Sequence, residues 1–137
     1  MSRDGAALLA VIMLLFPMGY FFLTSPTFLL VKLNIPEVMM LLRKHFNGSW
    51  IWMTSAGSFS TCAFALAGRP GLAIVSGGIT AYAFVMRRWL LQRMDEHIAR
   101  IHSGDSAATR PLRRLHWTGM VCNAATLGIV LNMARGF

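Results

Sequence analysis

Charge is scarce in this chain, and negative charge is scarcer. Charged residues make up 13% of the 137, against about 25% in an ordinary soluble domain, and Asp plus Glu number 5 against 13 Lys plus Arg. No acid or base falls midway along a long apolar run, which argues against an ion pump or proton relay. Cysteine is sparse as well. Cys62 and Cys122 lie inside apolar runs without CxxC or Cys-His spacing, so they read as small packing residues rather than a disulfide or metal pair. No redox compartment follows from them. HExxH and other helical ligand pairs are missing. No internal repeat is visible, so a transporter is not expected unless the chain oligomerises.

What is abundant is apolar surface. The chain is 55% hydrophobic with a mean hydropathy of +0.55, which favours a lipid-facing protein over a soluble core. Its length suits a single domain. A net charge of +8 and a pI near 11.1 raise the question of nucleic acid. The bases sit at the ends of apolar runs, however, and not along a polar face. Membrane orientation and contact with anionic lipid explain that placement better, so no nucleic-acid partner is expected.

The polar stretch from Arg87 to His116 organises the rest. It holds seven bases (Arg87, Arg88, Arg93, Arg100, Arg110, Arg113, Arg114), three acids (Asp95, Glu96, Asp105) and the histidines His97, His102 and His116. Residues 87–114 read as a basic hairpin between two membrane-crossing helices. The expected fold is all-α: an integral membrane four-helix transmembrane bundle, with spans near 6–23, 50–67, 71–90 and 115–133. Pro17 should kink the first span or sit against a neighbour that satisfies the freed carbonyl. The basic, apolar start resembles a signal peptide, but Thr24-Ser25-Pro26 is a poor cleavage site, so a retained span is expected.

Between spans one and two, Asn34, Pro36 and Glu37 form a helix-start signature for a short amphipathic helix over 35–46. Ile35, Val38, Met39, Leu42 and Phe46 recur at helical spacing, opposite Arg43 and Lys44. Such a helix lies in the headgroup plane or packs on the bundle as a connector. Asn47-Gly48-Ser49 should break it and cap the next span. The third span should continue as a helix to His102, where Ser103-Gly104-Asp105 stops it, with Glu96 and Arg100 as an i,i+4 pair. Thr109-Arg110-Pro111 opens the last helix.

Four spans place both termini and Arg69 on one side. Lys32, Arg43, Lys44 and the seven hairpin bases then lie opposite Arg3, Arg69 and Arg135. The positive-inside rule makes the richer side cytoplasmic and both termini periplasmic, in a multi-pass protein of a bacterial inner membrane. Trp50, Trp52, Trp89 and Trp117 all fall near the cytoplasmic interface, where aromatic belts form.

Two groups of residues are candidates for chemistry. His45, His97, His102 and His116 share one depth beside Asp95 and Glu96, a composition that can bind metal or haem. His97 and His116 are the weightiest members, although interfacial histidines commonly serve only as anchors. The second group lies inside the spans. Asn123 follows His116 by seven residues on one face with Gly119 between, and Thr54, Ser58 and Thr61 form a stripe on span two. These polar groups either bond across packed helices or line a narrow cavity for a quinone or other aromatic. Hydrogen bonding of Asn123 to span two or three is expected. Arg87, Arg88, Arg113, Arg114, Arg43 and Lys44 are the expected contacts for anionic lipid or an acidic partner.

Gly19-Tyr20-Phe21-Phe22, the following Pro26 and the stretch RRLHWTGMVCN (113–123) carry a resemblance. In these features the chain resembles small four-helix bacterial membrane proteins of uncharacterised families, including the anthrone-oxygenase-like group. The resemblance implies a four-helix bundle and, for some members, oxygenation of aromatic polyketides. It assigns no catalytic role to any residue. Two functions are therefore weighed. One is an accessory or assembly subunit that binds anionic lipid and a larger membrane partner, or forms a homo-oligomer. The other is a membrane oxidoreductase or haem- or quinone-binding subunit using His116, Asn123 and His97.

Overall fold

The computed structural model describes residues 3–135. Among these residues there are four α-helices, two short 3-10 turns and no strand. Helix α1 spans Arg3–Thr24, α2 Pro36–Leu66, α3 Pro70–His102 and α4 Thr109–Ala134; 3-10 turns cover Ser25–Leu29 and Ser106–Ala108. Asp4 in the first turn of α1 and Glu37 in that of α2 suit the positive end of each helix dipole. Pro36 and Pro70 occupy first-turn positions, where the missing N–H costs nothing.

The ends of α2 and α3 are built alike. The amide of Arg69 donates to Phe64 and that of Gly68 to Ala65; the amide of Asp105 donates to Arg100 and that of Gly104 to Ile101. Both are Schellman closures, and they require a left-handed residue, supplied by Gly68 (φ +72°) and Gly104 (φ +97°). The expected stop at Ser103-Gly104-Asp105 is thus present. Pro17 is buried within α1, which continues through it.

Two local expectations fail. Asn34 does not cap α2: Ile35 occupies that position, with no side-chain cap. Nor is there a break at Asn47-Gly48-Ser49, because 35–46 and the second span form one helix of 31 residues. Burial explains the continuity. Met39, Leu42, Phe46, Ser49, Trp50 and Met53 are all buried along one stripe, and Asn47 accepts two hydrogen bonds from Arg87 at 3.0 and 2.7 Å. Sealing that stripe outweighs the ~1 kcal/mol helix penalty of Gly48. The 36–46 segment is therefore a packed part of the bundle and not a separate helix lying apart from it.

The largest interface joins α2 and α3 as an antiparallel hairpin. It is lined by small and hydroxyl residues. Gly57 sits so close to α3 that a Cβ there would fall 2.2 Å from Thr80 Oγ1, and Ser76 Oγ donates to the Gly57 carbonyl at 3.3 Å. Helix α1 packs against α2 and α4. At ~1.5 Å per residue, α2 and α3 reach ~45–50 Å, well past the end of the 22-residue α1. Past that end, residues 25–35 and the start of α4 continue the bundle.

Ion pairs cluster at the far end of the hairpin. Arg43 forms a two-point pair with Asp95, Arg93 meets Glu96 at 3.1 Å, and Arg100 meets Asp105 at 2.6 Å. Glu96 and Arg100 are consequently not partners, because each has a nearer one. Asp4 and Arg69 pair at the opposite end, at 2.7 Å. These contacts are solvent-accessible and worth at most about 1 kcal/mol each. Two segments, Asp4–Leu29 and Ser106–Ala134, are long and apolar enough to cross a membrane.

Close approach at Gly119 gives a test of the packing. A Cβ at Gly119 would lie 2.3 Å from Cε1 of Phe46, a ring with no exposed surface and no room to swing. Gly119→Ala should lower stability by about 1–3 kcal/mol through overpacking. Gly128, with nothing within 4 Å, is the control. Thermal unfolding in detergent should separate Gly119→Ala from Gly128→Ala; equal midpoints would contradict the contact.

Candidate functional site

Helix α1 ends in an aromatic and histidine layer. Phe21 stacks on His45 of α2 (centroids 5.2 Å, 8° between planes) and meets Phe46 edge-on at 5.1 Å. Phe28 of the first 3-10 turn lies between two histidines, 5.4 Å from His45 and 6.1 Å from His116 of α4. Pro26 opens that turn, and Ser25 before it is fully buried.

Hydrogen-bond partners fix the histidine tautomers. Nε2 of His116 lies 2.9 Å from Ser25 Oγ and 3.0 Å from the Ser25 carbonyl. A carbonyl can only accept, so Nε2 carries the proton and the buried, unpartnered Nδ1 is bare. His45 follows the same logic. Thr24 donates its hydroxyl proton to the Tyr20 carbonyl at 2.7 Å, so at 3.4 Å Nε2 of His45 is the donor to Thr24 Oγ1. That leaves Nδ1 of His45 as an acceptor. Burial pushes the pKa of His45 below its ordinary 6.5, which keeps the ring neutral.

Beside His45, a groove of about 440 Å³ opens between α1 and α2. Phe16, Tyr20 and Trp52 give it aromatic walls, and Lys44 and His45 supply a cation and a ring nitrogen. It can hold a flat apolar group with a polar edge.

The sequence candidates divide differently from expectation. His116 and Asn123 share a buried face of α4, but both bond to the α1 side. Asn123 Nδ2 donates to the Met18 carbonyl at 3.0 Å, so its partner is span one, not span two or three. The reason is geometric: α4 packs along α1, and Phe46 and Trp50 fill the space toward α2. Oδ1 of Asn123 and Nε1 of Trp50 are buried without partners.

Thr54, Ser58 and Thr61 each donate to the carbonyl four residues back, at 2.8–2.9 Å, and only Thr61 also crosses to Ser76 at 3.2 Å. They do not line a common cavity. His97 lies on the charged extension of α3 with a buried, unpartnered Nδ1. Among the described residues no group of three or more His, Cys, Asp or Glu side chains is placed to hold a metal. The bases also separate: Arg87 binds Asn47, whereas Arg113 donates to the carbonyls of Phe28, Leu29 and Val31. They do not share one mouth between α3 and α4. Arg88 and Arg114 are exposed, Arg43 is held by Asp95, and Lys44 rims the groove.

Ser25 and Ser60 are the functional contacts that the sequence reading missed. Ser60 is buried and donates to the Ala10 carbonyl at 2.8 Å. Its seven- and four-residue spacing from Met53 and Phe64 marks it as core-facing, which was a usable signal.

Two outcomes check this geometry. Asn123→Leu should cost about 1 kcal/mol of stability, the loss of one interhelical bond, without changing helix content. The second is pH dependence. Folded His45 takes a proton less readily than unfolded His45, so stability rises with pH up to about 6.5 and falls as pH drops below it. The melting midpoint in detergent should therefore fall between pH 7 and pH 5.5, and less steeply in His45→Gln. An unchanged slope would mean that His45 is not held neutral. Compared with protein-family models, curated proteins and solved structures, the chain matches none, so function has to be argued from the site itself.

Proposed function

We propose that this chain is a small integral membrane accessory or assembly subunit. In this reading all four helices cross the bilayer, both termini are periplasmic, and the charged end meets anionic lipid and a larger partner in the cytoplasm. The observation that carries it is the outward face of the bundle. Leu8, Ile12, Phe16 and Leu23 of α1 are 51–76% exposed, and Phe59, Leu66, Ile74, Phe84, Val85, Val121 and Ile129 continue the girdle around the other helices. A soluble monomer rarely carries so continuous an apolar surface.

Helices α2 and α3 fall outside the two segments that qualify on composition, and their interior explains it. Gly57, Thr61, Ser76 and Thr80 face one another across the α2–α3 interface and lower the average from inside, while the exposed Ser58 turns its hydroxyl back onto the Thr54 carbonyl. Small residues and hydroxyls at helix contacts are what close packing in lipid uses. Trp52, Trp89 and Trp117 face outward near the basic end, as a belt would, while Trp50 is core. With the bases concentrated at that end, the positive-inside rule supports the orientation.

A second reading is favoured by the α1–α2 groove. Its aromatic walls and the acceptor nitrogen of His45 suit a quinol or other hydroxylated aromatic, in line with a quinone- or haem-binding subunit or an oxidoreductase of the anthrone-oxygenase-like kind. Solvent extraction of the purified protein separates the two. A stoichiometric chromophore supports the ligand reading, and lipid alone supports the accessory one.

Topology is tested by reporter fusions after Gly104 and after Arg135. The first should report cytoplasm and the second periplasm. Same-side signals, or a soluble product that needs no detergent, would overturn the four-span reading.

A further inference from the structure

Helix α4 begins beside a pocket of about 310 Å³ lined by Lys32, Asn34, Ser106, Thr109, Arg110 and Arg113. Leu33 lines it as well, so three of its seven side chains are cationic, from two separate parts of the chain, and no acid lines the pocket. Most acids at this end are already committed, and Glu37, the exception, lines a different pocket with Lys44. Asp95 is held by Arg43, Glu96 by Arg93 and Asp105 by Arg100, while Lys32 and Arg110 form no ion pair among the described residues. Positive charge is therefore concentrated and uncompensated at one place on the charged end.

The pocket is also pre-shaped. Arg113 donates to the carbonyls of Phe28 (3.3 Å), Leu29 (3.2 Å) and Val31 (2.8 Å), which ties the segment bearing Lys32 to the first turns of α4. Leu33, next in sequence, is buried in the pocket wall and anchors the same segment. Lys32 and Arg110 are thus held across a fixed gap rather than left on separate floppy segments. The Ser106 hydroxyl adds a donor at its rim, while that of Thr109 is committed to the Ser106 carbonyl at 2.8 Å.

We propose that this pocket binds a phosphoryl anion through Lys32 and Arg110, with Arg113 positioning the Lys32 segment. A tetrahedral oxyanion suits the donors: two unpaired bases for its negative oxygens and the Ser106 hydroxyl for a third. The phosphoryl group can belong to a lipid headgroup or to a free phosphate. The lipid source rests on the membrane reading above, since it needs this end of the bundle at headgroup depth. The phosphoryl chemistry does not depend on that reading.

Binding is measured on the full chain in a neutral detergent at constant ionic strength, by the shift of its melting midpoint. One arm titrates inorganic phosphate, a second adds phosphatidylglycerol to the micelles, and a third adds phosphatidylcholine. The wild type should respond saturably in the first arm, the second, or both, and more strongly to phosphatidylglycerol than to phosphatidylcholine. Response to phosphatidylglycerol alone identifies a headgroup, and response to phosphate alone a soluble ester. Lys32→Gln with Arg110→Gln should weaken the response about thirtyfold. Arg135→Gln, an exposed base at the opposite end of α4, should leave it intact.

Both pocket bases are exposed, so the variants should keep wild-type helicity, checked by circular dichroism. If the double variant loses helicity, either single substitution gives the same comparison. No saturable response in either anionic arm, or equal losses from Arg135→Gln and the pocket variants, overturns the proposal. The reporter fusions are scored separately, so a failed pocket and a failed topology are distinguishable.

Discussion

Backbone oxygens of α1 and of the turn after it, taken up by side chains from other helices, tie this bundle together. Ser60 of α2 reaches Ala10, Asn123 of α4 reaches Met18, and His116 reaches Ser25. Helix α1 has almost no polar side chain of its own to offer, so its main chain provides the acceptors. Trp50 Nε1 apart, buried donors take such partners, because an unpaired polar group in an apolar interior costs several times what one net hydrogen bond contributes. That requirement fixes the rotation of α4 about its axis: turning Asn123 away from α1 would also remove His116 from Ser25. Packing then follows, with Gly119 admitting Phe46 between those two contacts.

The layer containing His45, Phe28 and His116 divides the molecule. On one side the helices carry apolar outer faces and small polar interiors. On the other side α2 and α3 project past α1 and, with Asp105 just beyond α3, carry three of the four ion pairs among the described residues. The groove and the basic pocket both lie at or beyond the divide, where an aqueous and an apolar phase could meet. Chemistry that needs both a charged contact and an apolar one is confined to that level by the distribution of residues.

Regular local signals carried most of the helix map. Pro at first-turn positions, Gly68 and Gly104 at left-handed closures, and the continuation of α3 to His102 all follow from neighbours within a few residues. The failures came where a distant residue intervened. Asn47 looked like a breaker until Arg87, 40 residues later, supplied its partner. Likewise the hydroxyl stripe of Thr54, Ser58 and Thr61 is regular in sequence, but a hydroxyl in a helix can satisfy itself on the carbonyl four residues back. Asn123 was correctly read as inward-facing. Its partner could not be read, because spacing along α4 says nothing about which helix lies opposite.

The Arg113 clamp has a consequence for the order of assembly. The carbonyls of Phe28, Leu29 and Val31 are made early in synthesis, and the guanidinium that closes on them comes 82–85 residues later. Until then the first connection has neither its clamp nor the His116 contact to Ser25, which lies 91 residues away. The N-terminal helix can form and even pair with α2 through Ser60 while its own exit remains unfixed. The earliest connection to emerge from the ribosome is thus among the last to acquire its final shape, and a chain halted before α4 would present that connection open to water, lipid or a chaperone.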